Sequence, residues 1–139
     1  MILVDGFNSY TNGPIIGNLG GTLWSAHSGA SGLPVVVTNG QIKIAGSHQE
    51  DISATLVGQP YTTNSGSVLY ARFTFRVVER PTQPTYVAHF KDNTSSGYRC
   101  RVFLSTNNAP AEYVRVAIGS GADSTLNGGV QLQINLGKR

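Results

Sequence analysis

Short runs of alternating apolar and polar residues, separated by clusters of Gly, Asn, Pro and Ser, dominate this chain. The longest block spans residues 67–118 and contains four such runs, SVLYARFTFRVVER, YVAHFK, YRCRVFL and EYVRVAI. Successive side chains of a β-strand point to opposite faces, so each run predicts a strand with one apolar and one polar side. Since no segment of ten or more residues has helical periodicity, the pattern predicts an all-β protein.

Further strands are predicted on both sides of this block, at residues 2–4, 51–57 and 130–136 and in the two halves of LPVVVTNGQIKIAG. Asn39-Gly40 joins those halves, and this dipeptide favours the positive φ angles of a type I′ hairpin turn. Residues 7–32 form a predicted long Gly-rich loop. Such a loop needs apolar anchors to be ordered, and the sequence offers Ile15, Ile16, Leu23 and Trp24.

The length and charge of the chain limit its class. Its 139 residues predict a single domain, 1–139, large enough for a hydrophobic core. A net charge of +3 is weak for a nucleic-acid interface, so no nucleic-acid partner is predicted. No apolar run approaches the roughly 18 residues of a membrane span, and Met1 is not followed by a secretory signal. We expect a protein made without secretion or a secreted domain without its leader.

Common catalytic patterns are missing from the sequence. The seven carboxylates lack the alternating spacing that would place two of them on one strand face for glycoside hydrolysis. Glu50 and Asp51 are adjacent, so they predict a solvated turn before a strand. There is no G-x-S-x-G nucleophile elbow. The sequence therefore predicts a protein that is not an enzyme, with a polysaccharide lyase using Arg, His and Tyr as a third hypothesis.

Metal and thiol chemistry have little support. The histidines His27, His48 and His89 lack ligand spacing, which favours hydrogen-bonding roles. Cys100 is the only cysteine, which excludes an intrachain disulfide, and its strand position predicts a small buried side chain. No cofactor is predicted. A structural calcium ion is a further hypothesis, with ligands from Asp5, Asp92 or Asp123.

The polar side of the 67–118 block combines basic and aromatic residues. Arg offers planar donors for carboxylate, sulfate or phosphate, and aromatic rings stack on flat ligand faces or on Arg itself. The alternative is that Arg stems merely cover the solvent side of a sheet, and a bulge would reverse the predicted face. The predicted ligand-binding residues are Tyr70, Arg72, Arg76, His89, Arg99, Arg101, Phe103, Tyr113 and Arg115.

Two stretches of the chain resemble a known family. The first stretch lies near the start of the chain and carries Asp5, Phe7, Tyr10, Asn12-Gly13, Trp24, His27-Ser28-Gly29 and Asn39-Gly40. The second is YVAHFKDNTSSGYRCRVFLST. Together they resemble concanavalin A-like, LamG-like jelly-roll modules of secreted bacterial proteins and phage virion proteins. The resemblance implies an antiparallel two-sheet β-sandwich with no catalytic residues to transfer. Related domains continue past the strand matching VQLQINLGKR, which implies missing closing strands and an open edge completed by a second copy or another protein.

These observations predict a non-catalytic interaction or display module. The expected partner is an acidic glycan or a protein surface, bound through the basic and aromatic face. The alternative is a phage virion structural protein, such as a capsid decoration or fibre component. We expect a homo-oligomer or assembly within a larger particle, located in a virion, outside the cell or at the cell surface.

Overall fold

The computed structural model describes residues 2–21, 23–92, 97–106, 109 and 112–119, and the backbone of 131–135. The protein is all-β, as predicted, with nine strands (β1–β9) in three antiparallel sheets among the described residues. In that part of the chain, helix is limited to a single 3-10 turn at Thr63–Ser65. The chain forms two compact units, Met1–Ala71 (unit 1) and Arg72–Arg139 (unit 2).

Unit 1 contains two small sheets. A three-stranded sheet has the order β1-β3-β4, and a second sheet pairs β2 with β5. The strands are β1 Gly13–Pro14, β2 Trp24–Ser28, β3 Val36–Thr38, β4 Gln41–Lys43 and β5 Asp51–Ala54. The segment predicted as one long loop therefore contributes two strands, and the strand predicted at 51–57 is confirmed for its first four residues.

The hairpin at Asn39-Gly40 is confirmed. Thr38 lies opposite Gln41, and the two turn residues have φ angles of 50° and 71°. Asn39 and Gly40 are among the residue types that adopt these angles at low cost, which is why the sequence located this turn.

The core of unit 1 is built largely from the Gly-rich segment and β3. Tyr10, Ile15, Val35 and Val37 are buried, and Ile16 and Trp24 pack against them. Three of the four predicted anchors are thus confirmed. The prediction that Leu23 is an anchor is wrong, because 49% of its surface is exposed.

Glu50 also differs from its prediction. It is buried, and its Oε2 accepts a hydrogen bond from the Val35 amide at 2.9 Å. A backbone donor next to β3 therefore satisfies a carboxylate that sequence reasoning had placed in solvent. Asp51 is half-buried in β5, where its Oδ2 accepts a hydrogen bond from the Ser28 hydroxyl at 2.6 Å.

Unit 2 contains one antiparallel sheet with the order β6-β7-β8-β9. These strands confirm four of the runs found in the sequence, and each is hydrogen-bonded to its neighbour along the chain. They are β6 Thr85–Lys91, β7 Tyr98–Ser105, β8 Tyr113–Gly119 and β9 Gln131–Asn135.

One face of this sheet carries the apolar core of unit 2. Leu104 of β7 lies opposite Val116 of β8, and both are buried together with Val114. Val87 and Val102 pack against the same core. The predicted alternation is therefore confirmed around Leu104, Val114 and Val116, whereas the pairing of β6 with β7 is irregular between Tyr86 and Phe90.

Two predicted strands are absent from the described structure. Residues 2–4 form no ladder, and residues 67–80 have no assigned secondary structure. Val77 packs against the core of unit 2, but Tyr70 is 90% exposed. Alternation describes side chains only, whereas a strand also needs a hydrogen-bonding neighbour, and this segment has none among the residues that the structure describes.

Candidate binding site

A buried arginine lies among aromatic rings on the sheet of unit 2. Arg101 of β7 is only 7% exposed. Its guanidinium carbon lies 5.5, 5.2 and 5.3 Å from the ring centroids of Tyr86, Tyr98 and Phe103. All three distances fall within the roughly 6 Å range of cation–π attraction. We call these four residues, together with His89 and Lys91, the aromatic–basic cluster.

The strands β6 and β7 bring the cluster together through irregular pairing. Tyr86 lies directly opposite Phe103, so their side chains share a face. Further along, the register shifts twice between Tyr86 and Phe90. These irregularities change which side chains reach the face of Phe103.

Cys100 marks the distorted position in β7. Its φ angle is 51°, and its side chain is exposed rather than buried as predicted. Residues three apart in a regular strand point to opposite faces, yet Tyr98 and Arg101 contact each other. A local bulge of this kind moves Tyr98 from the predicted apolar side to the side of Arg101.

His89 and Lys91 extend the cluster toward solvent. The His89 ring contacts Tyr86 and Tyr98 edge-to-face, with centroids 5.4 and 5.0 Å apart. The Lys91 Nζ lies 6.0 Å from the Tyr98 centroid and donates a hydrogen bond to the Asp92 carbonyl at 3.2 Å. Tyr86, His89, Lys91 and Tyr98 are all half-buried. The cluster therefore has a buried cation beneath a partly accessible aromatic and basic surface.

The electrostatics of Arg101 are unusual. Its Nε and Nη2 atoms are buried and have no hydrogen-bond partner within the described part of the chain. Burying a charge is costly unless it is paired and hydrogen-bonded, and cation–π contacts return only part of that cost, up to about 2 kcal/mol each when desolvated. A buried donor group without an acceptor calls for a physical explanation, and an external acceptor is one.

The structure separates the predicted ligand-binding residues into three groups. His89, Arg101 and Phe103 meet in the cluster, although Phe103 is 3% exposed and supplies only an inner wall. Arg115 lies opposite Ser105 and therefore shares a face of the sheet with Phe103. Tyr113 lies two residues before Arg115 in β8, so it lies on the same face. The remaining predicted residues lie elsewhere: Tyr70, Arg72 and Arg76 in the unpaired segment, and Arg99 in an exposed ion pair.

Arg99 is the clearest correction among these. Its Nη2 lies 3.2 Å from Asp92 Oδ2, and its Nη1 donates to the Tyr98 carbonyl at 3.1 Å. The alternation that placed Arg99 and Arg101 on one face does not hold across the bulge between them, and a role of Arg99 in ligand binding stays a prediction.

Tyr86, Lys91 and Tyr98 were not among the predicted ligand-binding residues, although Lys91 is one of the basic residues of the YVAHFK run. The density of aromatic residues in YVAHFK and YRCRVFL was a usable signal, since any distortion of these strands would bring several rings together. The bulge itself had no signal, because cysteine does not favour positive φ.

The residues of the family resemblance form a separate polar centre in unit 1. Asp5 Oδ1 accepts a hydrogen bond from the Phe7 amide at 2.9 Å. Asp5 Oδ2 accepts from the Tyr10 hydroxyl at 2.7 Å and from Trp24 Nε1 at 2.8 Å. The Phe7 ring packs between Tyr10 and Trp24, with centroids 5.6 and 6.0 Å away. Three donors thus occupy the carboxylate that was a hypothetical calcium ligand.

The environment of this centre affects the acidity of Tyr10. Burial, then the hydrogen bond to Asp5 and the negative charge of Asp5, raise the pKa of Tyr10 to about 12. An open depression of about 520 Å³ adjoins the centre and is lined by residues that include Asp5, Phe7 and Tyr10. The Asp5 carboxylate that lines this depression already accepts three hydrogen bonds from within the unit.

The remaining candidate metal ligands have other roles in the structure or lie outside the residues that it describes. Of the proposed calcium ligands, Asp92 pairs with Arg99, and Asp123 lies outside the described residues. The described residues contain no group of three or more His, Cys, Asp or Glu side chains arranged to hold a metal ion. His48 Nδ1 accepts a hydrogen bond from the Ala45 amide at 3.4 Å.

No protein-family model, curated protein or solved structure matches this chain. The resemblance to concanavalin A-like modules therefore stays a prediction. None of the helical residues described here forms a segment long and apolar enough to cross a membrane.

Proposed function

We propose that the protein is a non-catalytic binding module that holds an acidic saccharide on the aromatic–basic cluster. The cluster combines the two features that such a ligand requires. Half-buried Tyr98 and His89 rings offer flat apolar surfaces for the C–H face of a sugar. Lys91 and Arg101 offer positive charge for a carboxylate or sulfate.

The observation that carries this proposal is the buried guanidinium of Arg101. It is enclosed by three rings, and two of its nitrogens find no acceptor within the described chain. An anionic group of the ligand would supply that acceptor and offset the cost of burying the charge. Rotation of the half-buried Tyr98 ring would open the guanidinium to such a group.

A panel of polysaccharides tests the proposal by isothermal titration calorimetry on the full chain. We expect binding to polygalacturonate, a polymer of uronic acid, and no binding to dextran, a neutral polymer. Arg76→Ala removes a positive charge from the exposed unpaired segment and should leave binding unchanged. Lack of binding to polygalacturonate and to a sulfated polysaccharide would contradict the proposal. Unsaturated products, detected by ultraviolet absorbance, would instead support the lyase hypothesis.

A structural role in a virion is the second candidate function. The observation that favours it is the segment 67–80, which has an alternating strand sequence but no pairing partner in the described part of the chain. Segments of this kind are completed by neighbours in an assembly. The two-sheet jelly-roll sandwich also belongs to the proposal, and it rests on the sequence resemblance.

A further inference from the structure

The segment 68–80 has the sequence of a strand but no strand partner. None of its backbone N–H or C=O groups makes a hydrogen bond within the described chain. Its residues 70–76 are all exposed. Phe73 and Phe75 are 47% and 40% exposed, and their rings contact each other at a centroid distance of 5.8 Å. An exposed strand sequence with free backbone groups is a template for pairing with another chain.

The segment is complementary to itself in one antiparallel register. When two copies pair about a two-fold axis at Phe73, residue i lies opposite residue 146 − i, and opposite residues share a face. Apolar residues then meet on one face, and no two like charges are opposed on the other. The pairs are Phe73–Phe73, Ala71–Phe75 and Leu69–Val77 on the apolar face, and Arg72–Thr74, Tyr70–Arg76 and, at the ends, Val68–Val78 on the other face.

Neighbouring registers are less favourable. Pairing about Thr74 would place Arg72 opposite Arg76, and pairing about Arg72 would oppose that residue to its own copy. Like charges directly opposite each other destabilise a sheet. Shifting one copy by a single residue would set Ala71, Phe73 and Phe75 opposite residues of the polar face: Tyr70, Arg72, Thr74 or Arg76. Pairing about Ala71 or Phe75 also avoids like charges, but it sets Phe75 opposite Ser67 or Ala71 opposite Glu79. Pairing about Phe73 is therefore the symmetric register that sets all five apolar residues of this face opposite one another.

We propose that residues 68–78 form an intermolecular antiparallel ribbon with the same segment of a second copy of this chain, centred on Phe73. The contact is isologous, since both copies use the same surface. It satisfies backbone groups that have no partner among the described residues and covers the exposed Phe73 and Phe75. The contact does not involve the aromatic–basic cluster, so it stands or falls independently of saccharide binding.

Charge variants at Thr74 test the register. Thr74 has an exposed side chain and lies opposite Arg72 in the proposed ribbon. Thr74→Arg creates two symmetric like-charge pairs, and Thr74→Glu creates two attractive ones. Each variant should change the dimer Kd by between about twofold and 30-fold, in opposite directions. The double variant Arg72→Glu/Thr74→Arg restores attraction and should dimerise at least as well as the unmodified chain.

Sedimentation velocity on the full chain, from ~10 μM to ~1 mM, measures these constants across the range of weak association. Ser47→Arg adds the same charge at an exposed turn and serves as the control. We expect a concentration-dependent dimer that Thr74→Arg weakens, that Thr74→Glu strengthens and that Ser47→Arg leaves unchanged. A chain that stays monomeric throughout would overturn the proposal. So would a dimer indifferent to Thr74→Arg, or a double variant that fails to restore it.

Discussion

Tyr98 and Arg101 are three residues apart in one strand, yet the Arg101 guanidinium carbon lies 5.2 Å from the centroid of the Tyr98 ring. This contact exists because β7 is irregular at Cys100, where φ is positive. The irregularity places Tyr98 on the same face as Arg101, so that both belong to the aromatic–basic cluster. The proposed function depends on that cluster.

Replacing Arg101 by Met should leave the free energy of unfolding unchanged or raise it. Met fills a similar volume and removes a buried charge that has no hydrogen-bond partner for two of its nitrogens within the described chain. Arg101→Ala should instead lower it by about 2–4 kcal/mol, because it leaves a cavity beneath the rings. Urea unfolding followed by fluorescence measures both variants. A loss of several kcal/mol in Arg101→Met would show that the guanidinium has an essential partner inside the protein.

The Cys100 thiol should react in the native protein. Its side chain is exposed, and it is the only thiol in the chain. We expect Ellman's reagent to titrate one thiol per chain without denaturant. A thiol that reacts only after unfolding would show that Cys100 is buried, as simple alternation predicts. That result would argue against the bulge in β7.

Asp5 should be a major source of stability in unit 1. Asp5→Ala removes the acceptor for the Phe7 amide, the Tyr10 hydroxyl and the Trp24 indole. We expect the free energy of unfolding to fall by about 2–4 kcal/mol. Asp92→Asn, which alters an exposed ion pair with Arg99, should cost less than about 1 kcal/mol. Equal losses in the two variants would contradict a special role for Asp5.

Stability should decrease at high pH through Tyr10. The pKa of Tyr10 is raised to about 12 in the folded protein, above its ordinary value near 10. A raised folded pKa stabilises the fold at pH values below the unfolded pKa, and this contribution is lost as the pH rises from about 10 toward 12. Urea unfolding at stepped pH should show this decline. Tyr10→Phe should be less stable at neutral pH but depend less on pH in the same range, and an unchanged slope would count against the assignment.

The sequence predicted those parts of the fold that local chemistry determines. The Asn39-Gly40 turn follows from the φ preferences of its two residues, and β6, β7 and β8 follow from alternation around Val87, Leu104 and Val114. Segment 67–80 has the same alternation but forms no strand, because pairing depends on a neighbour that the pattern does not specify. The other differences between the predicted and the observed fold come from contacts with residues distant in the chain, which a local pattern does not specify.

The candidate site likewise has features that the local sequence predicted and features that depend on the fold. The basic and aromatic composition of β6 and β7 was visible in the sequence, and three of the predicted ligand-binding residues, His89, Arg101 and Phe103, lie together in the structure. Tyr98 and Arg99 were assigned to the wrong sides, because one irregular residue between them and Arg101 reverses the alternation. Glu50 was placed in solvent because its acceptor role depends on the Val35 amide, fifteen residues away in the chain.

The central claim is that Arg101 receives an anionic group of a saccharide, and calorimetric titration of Arg101→Met with polygalacturonate tests it most directly. We expect Arg101→Met to fold with normal stability and to bind at least about 30-fold more weakly than the unmodified chain, because a buried charged contact is lost. Arg76→Ala, which removes an exposed charge outside the cluster, should bind normally. Equal affinity of Arg101→Met and the unmodified chain would contradict the account.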